Sequence, residues 1–236
     1  MNKAKFFLIF LPILLIGNKE FSQTNNLLPN SFFNSFNQKV YANDSIKFYK
    51  DRAYSRSING NHYGALNDLN KAIEIEPKNH FLYHIRGGIK EDIKDYSGAM
   101  RDFEKALSLD TDGISHWLIY QSIGMLKNDL KDYESAISYL DKSLVLMPSL
   151  FTALEQRGYA KFRLKDYLGA INDYDKYISY NPNNSKIYMS LLQAKVAIDK
   201  YKDACLDGKK AISLGYEDTK NYVETLCGLV KKHNLN

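Results

Sequence analysis

The stretch RGYAKFRLKDYLGAINDYDKYISYNPNN, residues 157–184, decides the fold, because its pattern returns along the chain. On a 34-residue period, with three extra residues before the third copy, one repeat position always holds alanine: Ala65, Ala99, Ala136, Ala170 and Ala204. Self-similarity at a period of this length indicates stacked structural repeats. The sequence therefore predicts five units, starting at residues 46, 80, 117, 151 and 185.

Two further columns divide each unit into two helices. The eighth position holds small residues, which let helices approach closely: Ala53, Gly87, Gly124 and Gly158. The thirty-second position holds prolines, which prevent a helix from continuing: Pro77, Pro148 and Pro182. We predict first helices at 46–59, 80–93, 117–130, 151–164 and 185–198, and second helices at 62–75, 96–109, 133–146, 167–180 and 201–214.

This pattern resembles the tetratricopeptide repeat family, which has a small eighth residue, alanines at twenty and twenty-seven, and proline at thirty-two. The resemblance implies an all-α, right-handed superhelical solenoid with units at 46–79, 80–113, 117–150, 151–184 and 185–218. The fifth unit departs from the pattern with Leu192, Gly208 and Tyr216. An amphipathic segment within 219–236 is predicted to cap the array.

The N-terminus has the pattern of a secretory signal peptide, with lysines, an apolar run from Phe6 to Ile16 and a polar end at Ser22. It is similar to signal sequences of Bacteroidetes-type bacteria. We expect removal of residues 1–22, and a periplasmic or secreted protein without a stable membrane span, since the apolar run is too short for one. Residues 23–45 are interpreted as a flexible lead-in whose Phe32, Phe33 and Phe36 cover the first repeat.

Charged residues recur with a constant spacing of sixteen. Arginine at position seven, where the family usually has leucine, accompanies aspartate at position twenty-three, and both are missing from the third unit, which has Ile123 and Tyr139. Because these positions face each other in an antiparallel hairpin, we predict three structural ion pairs: Arg52 with Asp68, Arg86 with Asp102, and Arg157 with Asp173.

The two cysteines, Cys205 and Cys227, lie in the last repeat and in the cap. Export permits a disulfide between them, and two small buried thiols are the alternative. His80 and His84 are spaced so that one helix face could present both to a metal ion, but no motif supplies a third ligand, so no metal site is expected.

Composition and motifs exclude several functions. The chain is 44% hydrophobic and 25% charged, which is typical of a folded soluble protein. Loss of residues 1–22 lowers the formal charge from +5 to +3, with basic and acidic residues interleaved, so nucleic acid is not an expected partner. No nucleophile, metal-protease or phosphate-loop motif occurs, and we expect neither enzymatic activity nor a cofactor.

The family resemblance implies that a partner would contact the inner face of the first helices. The candidate groove residues are Lys47, Lys50, Tyr54, Phe81, His84, Gln121, Met125, Asn128, Glu155, Tyr159, Phe162, Arg163, Lys186, Met189 and Gln193. Some of these aromatic side chains could instead pack between helices. We expect a scaffold that binds a protein or peptide of unknown identity; the alternative is an envelope-associated assembly factor that binds glycan or self-associates. The sequence does not indicate the oligomeric state.

Overall fold

The computed structural model describes the backbone of residues 30–233 and the side chains of residues 44–233. Eleven α-helices follow one another in this part of the chain, and a short 3-10 turn, Glu217–Thr219, precedes the last. Their bounds are α1 Asn30–Ile58, α2 His62–Ile75, α3 His80–Asp92, α4 Tyr96–Leu109, α5 His116–Asp129, α6 Tyr133–Leu146, α7 Phe151–Arg163, α8 Tyr167–Tyr180, α9 Ser185–Val196, α10 Tyr201–Ser213 and α11 Lys220–His233.

The helices alternate as the repeat pattern predicts. The odd-numbered helices α1 to α9 are the first helices of five repeats, and α2 to α10 are the second helices. The second helices begin at the predicted residues and end within one residue of the predicted positions. The helices within a repeat pack closely, and each repeat packs on the next. The predicted all-helical solenoid is confirmed.

The turn between the two helices of a repeat has the same backbone in all five repeats. One position adopts a left-handed conformation, with φ between 61° and 75°: Gly60, Lys94, Lys131, Lys165 and Asp199. In four repeats the next side chain, Asn or Asp, accepts a hydrogen bond from the backbone N–H three residues later and so caps the second helix. These features reverse the chain within three residues and set the antiparallel hairpin.

Complementary side-chain sizes hold the hairpins together. A Cβ on Gly158 would lie 2.6 Å from Cε1 of Tyr174, so the ring fills the space that glycine leaves. The fifth repeat reverses the arrangement, because a Cβ on Gly208 would lie 2.6 Å from Cδ1 of Leu192. The two departures noted in the sequence therefore compensate each other across one helix pair.

The C-terminal helix α11 closes the last repeat. Val223 and Leu226 are buried against α10, and a disulfide joins Cys205 to Cys227 with a Cα–Cα distance of 5.3 Å. The large Tyr177 replaces the usual small residue at the preceding junction; its hydroxyl accepts hydrogen bonds from two loop asparagine side chains. The C-terminal end of the array is thus covered by the side chains of α11 and linked to α10 by one disulfide bond.

The N-terminal boundary differs from the sequence prediction. The first helix begins at Asn30 rather than residue 46, so residues 30–45 are helical. Residues 30–58 contain no proline or glycine, and Pro29 stands just before them, which favours one continuous helix. The predicted signal peptide, residues 1–22, and the side chains of Phe32, Phe33 and Phe36 lie outside the described residues.

No helix within residues 30–233 combines the length and the apolar character needed to cross a membrane.

Candidate functional site

The first helices line the inner, concave face of the array, which we call the groove. Helix α5 contacts both α3 and α7, so first helices of neighbouring repeats lie side by side. Nine of the predicted groove residues have exposed side chains: Lys47, Lys50, Tyr54, Phe81, Met125, Tyr159, Arg163, Lys186 and Gln193. These side chains are available to a partner.

Three predicted groove residues are buried instead. Gln121 donates a hydrogen bond from Nε2 to the Thr152 hydroxyl at 2.6 Å, which ties α5 to α7. Met189 is covered by the segment that leads into α11, where the hydroxyl of Thr219 lies 3.5 Å from its sulfur. Both were assigned to the groove from repeat position alone. A neighbouring helix covers the side chain of Gln121, and the segment before the cap covers that of Met189. The third, Asn128, lies at the edge of a pocket.

Three others are half-buried. The ring of Phe162 stacks edge-on against Tyr167. Burial raises the pKa of Glu155, against the opposing effect of Lys186. The His84 ring nitrogen Nε2 lies 2.8 Å from the Ser122 hydroxyl, and burial lowers the pKa of His84. These side chains are partly occupied by contacts within the array, between first helices for His84 and within one hairpin for Phe162.

The two histidines of α3 have separate surroundings. His84 faces Ser122 of α5, while Nδ1 of His80 lies 3.9 Å from the buried carboxylate of Asp110. His116 approaches the other oxygen of Asp110, also at 3.9 Å. Residues 44–233 contain no group of three potential ligands arranged to hold a metal ion.

A pocket of about 340 Å³ opens into the groove between the third and fourth repeats. Its walls come from α5, α7, the turn between α5 and α6, and the start of α6: Asn128, Asp129, Lys131, Tyr133, Gln156, Tyr159 and Arg163. The Arg163 guanidinium lies over the ring of Tyr133, 4.9 Å from the ring centre, and donates a hydrogen bond to the Tyr159 hydroxyl at 2.7 Å. Arg163 and Tyr159 thus cover the pocket as a pair.

One buried polar atom at this pocket has no hydrogen-bond partner among the described residues. Asn128 is 5% exposed and donates both of its hydrogen bonds to Gln156, which leaves its Oδ1 without a donor. Tyr133 is 8% exposed, and burial, followed by a hydrogen bond with the Tyr159 hydroxyl, raises the pKa of its hydroxyl. Buried polar atoms are nearly always paired, so the unpaired Asn128 Oδ1 is unusual.

An acidic cluster adjoins the pocket. The pKa of Glu91 is raised to about 7, because burial and then the charges of Asp129 and Asp92 disfavour its ionised form. No lysine, arginine or histidine within residues 44–233 forms an ion pair with Glu91. Asp129 belongs both to this cluster and to the pocket wall.

The predicted arginine–aspartate residues meet in three bidentate ion pairs within repeats one, two and four. The Nη2–Oδ1 distances are 2.6 Å for Arg52–Asp68, 2.6 Å for Arg86–Asp102 and 2.5 Å for Arg157–Asp173. The aspartates are buried under the hairpin, away from the groove surface. The pairs therefore act in the scaffold, as their constant spacing indicates.

A second cationic side chain forms an ion pair with each of the three buried aspartates. The sequence pattern did not predict this second contact. The residue four positions after each arginine contacts the same carboxylate: Arg56 at 2.7 Å, Lys90 at 2.7 Å and Lys161 at 2.8 Å. Burial disfavours the charged form of Asp102, but hydrogen bonds from Arg86 and Lys90 outweigh it and lower its pKa. The fifth repeat keeps only this second contact, between Lys195 and Asp207.

The sequence profile of the tetratricopeptide repeat family matches residues 82–112, 119–146 and 151–184. These three segments are tetratricopeptide repeats. The fold is similar to that of MamA from Desulfovibrio magneticus RS-1, with a TM-score of 0.65, 21% identity, and coverage of 74% of this chain and 97% of that chain. No protein of curated function matches the sequence.

Two other solved tetratricopeptide repeat structures are similar. PilF of Pseudomonas aeruginosa has a TM-score of 0.65 at 17% identity, covering 81% of this chain and 92% of that chain. YrrB, described as a TPR protein with an unusual peptide-binding site, has a TM-score of 0.59 at 20% identity, covering 78% and 90%. At these identities the similarity shows the fold alone.

Four pocket residues were not predicted, and one of them, Asp129, directly follows the predicted Asn128. Tyr133 occupies a tyrosine column that runs through the tetratricopeptide repeats, so nothing in the sequence distinguished it. Lys131 lies at the left-handed turn position, and Gln156 is one residue after a predicted groove residue. Only the packing of the third repeat against the fourth brings these side chains together.

Proposed function

We propose that this protein is a non-enzymatic scaffold that binds another protein or a peptide in the groove. One observation carries the proposal: large apolar side chains are exposed on the first helices of several repeats. They include Tyr54, which is 70% exposed, with Phe81, Met125 and Tyr159. Such side chains provide contact area for a partner, and the charged residues between them orient it.

The shape of the groove favours an extended or helical peptide over a small metabolite. The exposed aromatic residues are spread over the first, second and fourth repeats rather than gathered in one enclosed cavity. A related fold, YrrB, is described as having a peptide-binding site, which supports the same class of partner here.

We further propose that the protein is exported and acts in the periplasm or outside the cell. The signal-peptide pattern of residues 1–22 supports export. The bond between Cys205 and Cys227 is consistent with an oxidising compartment, since such bonds are rare in reducing ones.

Panning a random peptide library on the purified protein tests the binding function. Enriched peptides would then be measured by fluorescence anisotropy against the wild type and a Phe81→Ala/Tyr159→Ala variant. Because interface aromatics often contribute most of the binding energy, we expect the groove variant to bind at least about tenfold more weakly. The matched control is Tyr63→Ala/Leu168→Ala, which removes two exposed side chains of second helices and should bind normally.

Two results would contradict the proposal. Equal loss of binding in both variants would show that the groove is not the binding surface. Retention of the protein on isolated cell-wall polysaccharide, with no peptide enriched, would favour glycan binding instead.

A further inference from the structure

Helices α10 and α11 enclose a separate pocket, which lies outside the groove. It has a volume of about 380 Å³ and opens between the two helices. Its accessible apolar wall comes from Ile212 of α10 and Gly228 of α11, above the buried Val223 and Cys227. The disulfide between Cys227 and Cys205 of α10 holds the two walls together. The pocket is therefore a fixed concave surface with an apolar base.

This pocket is elongated along α11. The residues of α11 that line it follow one helix face over three turns: Lys220, Val223, Glu224, Cys227, Gly228 and Lys231. From the first to the last, these residues span about 16 Å of the helix axis. Each first helix of the five repeats has a second helix packed along it, but α11 has none within residues 44–233. This shape suits a helix laid along α11 better than a compact small molecule.

Three lysines border this surface, one on α10 and two on α11: Lys209, Lys220 and Lys231. All three side chains are exposed, and none of them forms an ion pair within residues 44–233. Glu224 is the one carboxylate among the lining residues, so three lysines and one glutamate give the pocket a formal charge of +2. Elsewhere a lysine beside a hairpin is neutralised, as Lys161 is by Asp173 at 2.8 Å. Unpaired cations around an apolar pocket favour a partner that carries carboxylates.

We propose that an acidic amphipathic helix of a partner protein docks along α10 and α11. One apolar side chain of that helix enters the pocket beside Gly228, and its carboxylates pair with Lys209, Lys220 and Lys231. A flat anionic lipid surface would meet the lysines but would leave the concave pocket unfilled. This docking surface is separate from the groove and is additional to the function proposed above, so one molecule can hold two partners at once.

Two stapled helical peptides test the docking surface without knowledge of the natural partner. Both have 14 residues, the length of α11, with leucine on one face; the acidic probe has glutamate on the other face, and the basic probe has lysine there. Fluorescence anisotropy gives the affinities, and amide chemical shifts of the 15N-labelled protein give the location. We expect the acidic probe to shift signals of residues 209–212 and 220–231. It should bind at least about tenfold more tightly than the basic probe, because several exposed charge contacts change sign.

A variant at Gly228 tests the pocket. No atom lies within 4 Å of the place that a Cβ would take there, so Gly228→Phe fills the pocket with a ring while the fold is kept. The acidic probe should bind this variant at least about tenfold more weakly, because its apolar side chain loses its place. Gly88→Phe, at another helical glycine with the same free space, is the matched control and should bind like the wild type.

A second variant tests the lysines. Lys220→Gln/Lys231→Gln should weaken binding of the acidic probe several-fold and reduce its advantage over the basic probe. The matched control, Lys105→Gln/Lys176→Gln, removes two exposed lysines of other second helices and should leave both affinities unchanged. Circular dichroism checks that all four variants are folded.

Each contrary result has a distinct meaning. No saturable binding of the acidic probe, equal binding of the two probes, or unchanged affinity in Gly228→Phe would overturn the docking site. Loss of binding in Gly88→Phe, with shifts in the first helices, would assign the probe to the groove instead. Binding to phosphatidylglycerol vesicles that Gly228→Phe abolishes would replace the partner helix by a lipid surface, and a dimer that Gly228→Phe abolishes would replace it by a second copy. Library peptides that bind the groove should bind Gly228→Phe normally, so the groove function stands if only this inference fails.

Discussion

Arg157→Ala removes a side chain that connects three helices. Its Nε and Nη2 donate to the two oxygens of Asp173 on α8, at 2.9 and 2.5 Å, and its Nη1 donates to Asp141 on α6 at 2.6 Å. Asp173 is 1% exposed, so the substitution leaves most of a buried charge uncompensated.

The structure sets the magnitude. Removal of one partner from a buried ion pair costs about 3–5 kcal/mol of unfolding free energy. Lys161 remains 2.8 Å from Asp173 and reduces that cost, while the contact to the half-exposed Asp141 adds less than about 1 kcal/mol. We therefore expect Arg157→Ala to lower the free energy of unfolding by about 2–3 kcal/mol.

The third repeat provides the control, because it packs Ile123 and Tyr139 where the others have arginine and aspartate. Arg157→Ile/Asp173→Tyr copies that pair and removes both charges, so its loss should be about 1 kcal/mol or less. Urea unfolding followed by far-UV circular dichroism measures both variants, with slopes like that of the wild type. A loss below about 0.5 kcal/mol for Arg157→Ala, or a larger loss for the double variant, would refute the reasoning.

Three further predictions concern other parts of the fold. The pKa of Glu91 rises from 4.5 to about 7 on folding, so ionisation of Glu91 makes the folded state less stable as the pH rises through this range. Glu91→Gln should therefore raise the free energy of unfolding by about 1 kcal/mol at pH 8, allowing for solvent screening. Urea titrations at pH 4 should show little change. Gly158→Ala inserts a Cβ 2.6 Å from a buried tyrosine ring and should lower the midpoint of thermal unfolding, whereas Gly228→Ala, with no atom within 4 Å, should raise it by improving helix propensity. Reduction of the Cys205–Cys227 bond, which closes a separation of 22 residues, should lower the free energy of unfolding by about 3 kcal/mol when oxidised and reduced samples are compared in urea; unchanged midpoints would show that the cap is held by packing alone.

Repetition explains which features the sequence could predict. The second helices and the Arg157–Asp173 type of pair recur in several copies, so each copy supports the interpretation of the others. Lys161 also belongs to a recurring column, but a lysine four residues after an arginine is equally typical of a solvent-exposed helix face, and only the structure shows that it reaches the carboxylate. The extension of α1 to Asn30 lies outside the repeats, where no second copy supports it.

The groove could be predicted only as a set of positions. Repeat position predicted Met189 and Gln121 as groove residues, but both side chains are buried, because burial there depends on what the next repeat or the cap adds. Tyr133 was not predicted, because every repeat after the first has a tyrosine at this position. What differs is the packing around Tyr133, which the repeat pattern does not show. Contacts between repeats, rather than within them, decide which side chains remain open.

Residues that depart from the repeat pattern are of two kinds. Some are compensated by a change in a neighbouring residue and belong to the scaffold, and others have no such compensation and mark a candidate site. Leu192 with Gly208 is a compensated departure, in which a large residue replaces a small one and its partner changes in the reverse sense. Asn128 and Glu91 are not compensated, since no described residue completes the hydrogen bond of the first or the charge of the second. A scaffold has no use for uncompensated polar groups, and a binding partner supplies what they lack. Glu91 lies on α3 and Asn128 on α5, so the second and third repeats are where a partner should be sought.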